Sequence, residues 1–347
     1  MTPTKTPVVP SPAAMALGRA ILPPGARLGG MTPGHFPGLY DFLAEEDAAL
    51  PHLVEAGCRL LDTLAVAQAG RRFHRLSHER QQALARRWLV DPGPLGASFA
   101  GLCALIKLYY FEQPEVFEAY GVPYDKAPKT PEPEPRYMRQ AMRGYEAADQ
   151  GELDAEVVVI GSGAAGAFVA KELAERGHAV LLVEAGRYFR RHDFNGRYVN
   201  AARNFYHWQA RNYVVGNCLL FLPTGRTVGG STTVNTATCF RPPAWVHRRW
   251  QREGLTMLSQ EAMAPYFDEV EATMQVAPTP RDLWGKHVSY MNEVLDRRGL
   301  SHGPIQRNAP DCDGQNACDF GCPSGGKYSQ DLACVPMALR HGAMLLT

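Results

Sequence analysis

The sequence predicts an α/β chain in which a small all-α helical domain precedes a parallel-sheet domain. Three observations carry this. Leu and Ala recur at helical spacing between residues 40 and 120. A proline-rich stretch follows. A short apolar run, a glycine-rich turn, a helical pattern and a second apolar run then fill residues 157–184. Strand, helix and strand in that order form a βαβ unit with a right-handed crossover.

The elements follow in chain order. Residues 1–36 carry scattered Pro and Gly and read as a flexible N-terminal arm. They lack a twin-Arg pair and an apolar signal core, so no cleaved signal is expected. Residues 37–121 form the helical domain. Leu50, Leu53, Val54, Leu60, Leu61 and Leu64 recur mostly at three- and four-residue steps, which predicts one apolar stripe on a helix. Ser77 is a good N-cap for a second helix carrying Leu84 and Trp88. A third helix runs from about Ser98 through Leu102, Leu105, Ile106 and Tyr109, and Pro114 can open a fourth. Residues 122–153 are the linker, because VPYDKAPKTPEPEPR (122–136) holds five prolines among charges of both signs. The sheet domain occupies 154–347.

Composition narrows the function classes. The chain has 347 residues, 36 Lys and Arg against 35 Asp and Glu, and 45% hydrophobic residues. A near-neutral chain of this kind is not expected to bind nucleic acid through a basic field, and its apolar content supports a real core. No run of 18 apolar residues is evident, so no transmembrane segment is expected. Eight cysteines are too few for a disulfide scaffold.

The turn after VVVI reads Gly161-Ser162-Gly163-Ala164-Ala165-Gly166, a complete G-x-G-x-x-G. Gly161 makes the tight turn, Gly163 lets the backbone approach a pyrophosphate, and Gly166 lets the helix pack close to the strand. The helix N-terminus offers unpaired N–H groups, including those of Ala164 and Ala165, to phosphates. Glu184 ends the second strand, where an acid accepts hydrogen bonds from a ribose hydroxyl. The acid disfavours a 2′-phosphate and hence NADP; FAD and NAD both remain open on this motif.

A second glycine cluster, GRTVGGSTTVN, occupies 225–235. Taken alone it has a bland alternative reading as a surface turn. Together with the βαβ unit it resembles the glucose–methanol–choline (GMC) family of flavoprotein oxidoreductases, in which such a segment lies along FAD and reaches its isoalloxazine ring. The resemblance continues through Arg241-Pro242, Trp250, Gly254 and LSQEAMAPYFDEVEATMQV (258–276). It implies an incomplete Rossmann-like FAD-binding domain with flavin contacts at Gly229, Gly230, Ser231 and Asn235. Some members attach FAD through a His just before that Asn. Val234 stands there in this chain, which implies non-covalent FAD. Within the family the likeness is to long-chain alcohol oxidases and bacterial sugar dehydrogenases; FHRLSHERQQALARRW (73–88) and YYFEQPEVFEAYGVP (109–123) resemble the N-terminal region of the former and equally the small helical subunit that accompanies some of the latter.

Cys312, Cys318 and Cys322 follow C-x5-C-x3-C, with Pro323 next. Thiolates at such spacing suit iron–sulfur clusters or zinc; a local disulfide or packed thiols are alternative readings. The spacing resembles the segment that holds a three-iron (3Fe-4S) cluster in bacterial FAD-dependent glucose dehydrogenases, with these three cysteines as ligands. Cys334 reads as a buried thiol, and Lys327 and Ser329 as loop architecture matching the family's Gly-x-Lys-x-Ser.

The resemblance implies oxidation of a CH–OH group of a small-molecule alcohol or sugar. Hydride passes to flavin N5, and electrons leave to a quinone, a cytochrome or O2. The family's catalytic His lies in a distal segment that the sequence up to Thr347 does not match. His207 and His247 read as packing or surface residues, and no catalytic residue is assigned. The alternative is a non-catalytic chain that binds only nucleotide or a partner subunit. The expected location is cytoplasmic, with a peripheral place on a membrane left open.

Overall fold

The structure is a computed structural model describing residues 8–124, 126, 135–144, 146–147 and 151–347. The chain divides into two compact units, Met1–Tyr124 and Asp125–Thr347.

The first unit is all-α: α1 (Pro12–Ile21), α2 (Phe36–Glu46), α3 (Leu50–Ala69), α4 (His78–Leu89), α5 (Pro94–Phe111) and α6 (Pro114–Ala119). Helix α1 corrects the expectation of a loose arm over residues 1–36. Pro12 sits at its first position, where proline favours a helix start, and Ser11 Oγ accepts the Ala14 N–H at 3.2 Å. Ala13, Ala14, Ala16, Leu17 and Ala20 are buried in the unit's core. Small alanines give a weak apolar pattern, and the prolines looked like breakers when one of them is a starter. Residues 1–7 lie outside the described residues.

The leucine stripe of α3 splits. Val54, Cys58, Leu61 and Ala65 face the core, while Leu53 and Leu60 are 63% and 61% exposed. The apolar stripe is wider than the neighbouring helices cover, so its other half lines an open groove with Leu95, Leu102 and Leu105 of α5. Ser77 takes the N-cap position of α4, though its side chain makes no cap bond, and α6 opens on Pro114 as expected. Helix α5 is long and apolar enough to cross a membrane by length and composition alone. Gly, Ser and Lys107 interrupt its run and hid it in the sequence. In this unit its Phe99, Leu102, Cys103, Ile106, Tyr109 and Tyr110 are buried.

A buried carboxylate ties α1, α2 and α3 together. Glu55 Oε2 accepts from Tyr40 Oη at 2.6 Å and from the Ser11 N–H at 3.4 Å, and Oε1 accepts from Arg59 Nε at 2.8 Å. Burial pushes the Glu55 carboxyl up, but these hydrogen bonds outweigh it and hold it below its ordinary 4.5. A depressed folded-state pKa contributes stability that is present above the unfolded value and is lost as pH falls through the folded one. Glu55→Gln is therefore expected to cost this unit about 2 kcal/mol at pH 7, and the loss to shrink below pH 4.5. Urea melts of both proteins at pH 7 and pH 4 check this; equal differences at both pH values would contradict it.

The second unit runs β1 (Ala141–Met142), β2 (Val157–Ile160), α7 (Ala164–Glu175), β3 (Val180–Val183), α8 (Tyr198–Asn204), β4 (Tyr213–Val215), β5 (Leu219–Phe221), α9 (Ala244–Arg252), α10 (Gln260–Thr273), β6 (Ala277–Pro278), α11 (Lys286–Arg297), β7 (Gln306–Arg307), α12 (Cys334–Arg340) and β8 (Met344–Leu346). The main sheet is parallel with order β1-β8-β3-β2. The predicted βαβ unit is β2-α7-β3, paired in register Val157↔Val180 to Ile160↔Val183. Helices α7 and α12 pack through Ala167, Ala170, Ala174 and Ala338 into one core with Val180, Leu182 and Leu345. Alanine permits that close approach.

The linker expectation over 122–153 needs correction at its C-terminal end. Residues 141–142 form an edge strand of the sheet, pairing with β8, and Tyr137 and Met138 pack on the core. Pro128, Pro131 and Pro133 lie outside the described residues.

Candidate functional site

The first glycine turn leaves β2 at Gly161, whose φ of +93° is a left-handed conformation that suits glycine. The Gly161 N–H is bonded to the Val183 carbonyl at 2.7 Å. A Cβ on Gly166 would stand 1.9 Å from the Gly161 carbonyl oxygen, so glycine is required for α7 to start this close to its strand. The first-turn N–H groups of a helix have no intrahelical partner, and Ala164 and Ala165 lie exposed at this end.

The second glycine segment lies directly against the first. Ser162 Oγ accepts the Gly229 N–H at 3.0 Å. A Cβ on Gly230 would stand 2.8 Å from Gly163 Cα. Gly229 and Gly230 have φ of +90° and +55°, so the segment meets Gly163 backbone to backbone. The sequence turns away from the sheet here because Gly230–Thr232 is a single tight turn, with Thr232 Oγ1 donating to the Gly229 carbonyl at 2.6 Å. Ser231 and Asn235 are exposed next to it; Ser231 Oγ accepts the Gly225 N–H at 3.0 Å and Asn235 Oδ1 the Ala237 N–H at 3.0 Å. Val234 points the other way, into a cluster with Phe189, Phe194 and Phe205.

Glu184 sits at the end of β3 as expected and also holds the turn itself. Its Oε2 accepts from the Ser162 N–H at 2.9 Å and from Ser162 Oγ at 2.7 Å, and its Oε1 from the Gly186 N–H at 2.9 Å. Ser162, fully buried, thus links Glu184 to Gly229. Sequence reasoning passed over Ser162 because it occupies an unspecified position of the motif.

A second group missed by sequence lies in residues 327–331. Gln330 Nε2 donates to the Ala164 carbonyl at 3.3 Å, and its N–H to Thr232 Oγ1 at 3.0 Å, so one residue touches both glycine segments. Asp331, buried, is paired with Arg191 and accepts from Ser329 Oγ. Lys327 Nζ donates to the carbonyls of Thr233, Asn235 and Cys318, each at 2.8 Å. Burial draws its pKa down to about 8. The available signals were the match of Lys327 and Ser329 to the family's Gly-x-Lys-x-Ser, read as loop architecture, and a polar Lys-x-Ser-Gln-Asp run just before an apolar helix.

The cysteine window does not fit a cluster or a zinc ion. Among the described residues, no three of His, Cys, Asp and Glu come together to hold a metal. Cys318 Sγ accepts from Arg307 Nη2 at 3.1 Å, whereas Cys322 Sγ lies against Ser324 Oγ and the Lys327 N–H, at 3.5 and 3.4 Å. The thiols of Cys312, Cys318 and Cys322 are all free, so the disulfide reading fails as well. The three-iron expectation is corrected on these grounds: the sulfurs of Cys318 and Cys322 take separate partners and, among the described residues, do not converge with a third ligand. Cys334 is fully buried in α12, and burial pushes its thiol up to about 11. His247, buried in α9, bonds the Leu258 carbonyl at 2.9 Å and packs on Trp250 and Phe267, a structural histidine.

Residues 155–347 match the sequence model of the GMC oxidoreductase N-terminal domain. This chain belongs to the GMC oxidoreductase family. It is 32% identical over 336 residues to an uncharacterized GMC-type oxidoreductase of Mycobacterium tuberculosis, covering 96% of this chain and 52% of that protein. It is 32% identical over 197 residues to the long-chain-alcohol oxidase FAO4B of Arabidopsis thaliana, covering 55% of this chain and 26% of that one. Among solved structures it is similar to pyridoxine 4-oxidase from Mesorbium loti, with a TM-score of 0.38 and 16% identity over 56% of this chain and 42% of that one. The chain spans about half the length of the mycobacterial relative, and less of the plant one. GMC oxidoreductases are FAD-binding flavoproteins, and in this chain the two glycine segments pack backbone to backbone where a Cβ on Gly230 would press on Gly163.

Proposed function

We propose that this chain supplies the FAD-binding part of an oxidoreductase acting on CH–OH groups of an alcohol or sugar. The observation that carries the reading is the join between the two glycine segments, Ser162 to Gly229 and Gly163 to Gly230. Motifs 67 residues apart in sequence meet where one extended dinucleotide could lie across both.

In this reading the N–H groups of Ala164, Ala165 and Gly166 bind the pyrophosphate at the positive end of α7. Gly161 and Gly163 keep side chains out of its way. Glu184 Oε1, with one bond taken, retains lone-pair capacity for a ribose hydroxyl. Gly229, Gly230, Ser231 and Asn235 bind the flavin end, with the exposed Asn235 and Ser231 side chains as the polar contacts. Val234, buried among phenylalanines, offers no nucleophile, so the FAD is held without a covalent bond. When bound, FAD supplies the hydride acceptor, and the electrons pass on to a quinone, a cytochrome or O2.

The test is direct. The purified protein is expected to be yellow, to release intact FAD on denaturation, and to bleach when an alcohol or sugar substrate is added without oxygen. FAD binding with no bleaching across a panel from sugars to long-chain alcohols supports the alternative, a chain that binds nucleotide without turnover. A colourless protein with no affinity for FAD contradicts the reading.

A further inference from the structure

Lys327 is 1% exposed. Its three bonds to carbonyl oxygens use three N–H groups, so the side chain is an ammonium ion. Asp331, the acid four residues on, pairs with Arg191 instead. A buried ammonium held only by carbonyls is a costly arrangement for packing alone, since a methionine of similar reach fills the same space without a desolvated charge. Two of the three carbonyls belong to Thr233 and Asn235, at the end of the glycine segment whose Asn235 side chain faces outward. The third belongs to Cys318, from the cysteine window. The ammonium therefore sits behind the backbone that presents Asn235 and clamps it to a second, independent loop.

We infer that Lys327 is a positioning residue for the flavin-facing end of residues 229–235, and that its fixed charge favours the reduced, more negative state of the bound flavin. The inference rests on the FAD reading above. It has two separable parts. The bonds order the carbonyls of Thr233 and Asn235. The charge is itself enclosed, with Lys327 fully buried, and is weakly screened at its source.

Three variants test it. Lys327→Met removes bonds and charge, Lys327→Gln keeps a neutral donor, and Lys327→Arg keeps the charge on a planar fork that cannot reproduce three converging bonds. The readouts are amide exchange over 233–237 without FAD, the FAD dissociation constant, and the midpoint potential of the bound FAD. Lys327→Met is expected to speed exchange in that segment, to weaken FAD at least tenfold, and to shift the reduced-to-oxidised preference tenfold toward the oxidised form, about 30 mV for a two-electron couple. Lys327→Gln is expected to shift the potential by a similar factor with a smaller loss of affinity, and Lys327→Arg to restore the potential but not the slow exchange. If Lys327→Met does not fold, Lys327→Gln and Lys327→Arg still decide the charge. Equal potentials in all folded variants overturn the charge part, and faster exchange spread over the whole unit rather than 233–237 overturns the positioning part. Failure of the unsubstituted protein to bind FAD overturns the site reading and this inference with it; normal binding with unaffected variants overturns this inference alone.

Discussion

Replacing Glu184 with alanine is expected to destabilise the second unit by about 3–5 kcal/mol, because three neutral donors lose their acceptor at about 1–3 kcal/mol each. Three donors lose their acceptor together: the Ser162 N–H, Ser162 Oγ and the Gly186 N–H. Ser162 is fully buried, so water does not readily replace the carboxylate. The loss also reaches Gly229, because Ser162 Oγ is oriented by Glu184 while it accepts the Gly229 N–H. Ser162→Ala is expected to cost less, about 1–3 kcal/mol, for the stranded Gly229 N–H. The double variant is expected to be much less destabilised than the sum of the two, since they act through the same bonds. Thermal and urea melts of the four proteins form the cycle. An additive result, or a Glu184→Ala protein within about 1 kcal/mol of the parent, would show that the carboxylate is not the pin of this turn.

The second large effect is expected at Gly230. Its φ is +55°, and a Cβ there meets Gly163 Cα at 2.8 Å and Gly163 N at 3.3 Å. Both obstacles are backbone and cannot rotate away as a side chain can. Gly230→Val therefore prises the two glycine segments apart, adding strain of about 1–2 kcal/mol for a left-handed non-glycine residue. FAD affinity is expected to fall at least 100-fold, equivalent to about 2.7 kcal/mol. Gly216→Ala, where the added Cβ has open space, is the control and is expected to bind FAD normally. A Gly230→Val protein with parental FAD affinity would mean that the approach to Gly163 plays no part in binding.

What the sequence made legible follows from how far apart the interacting residues are. The G-x-G-x-x-G turn encodes a contact between Gly161 and Gly166, five residues apart, so its spacing alone announces the close approach. The strands at 157–160 and 180–183 show as compact apolar runs because the sheet is parallel and partly covered. The second glycine segment was legible only as a resemblance, since nothing in a Gly-Gly-Ser-Thr run says which loop it touches. Lys327, Gln330 and Asp331 were not legible at all as parts of the site. Their partners at Thr233, Ala164 and Arg191 lie 94, 166 and 140 residues away, and backbone carbonyls leave no mark in a sequence. The cysteine window misled for the converse reason: regular spacing was visible, while Arg307 and Ser324, which occupy two of the sulfurs, were not. In the helical unit the alanines of α1 were too small to show an apolar period, and the stripe of α3 was too wide to say which half was core.

The account stands on the claim that residues 161–166 and 229–235 form a single cradle for one FAD. Amide hydrogen exchange of the purified protein, stripped of flavin and then given FAD, tests it most directly. The account predicts that FAD slows exchange in both stretches together, over the same range of FAD concentration. Protection of only one stretch, or of two stretches at separate concentrations, would contradict it.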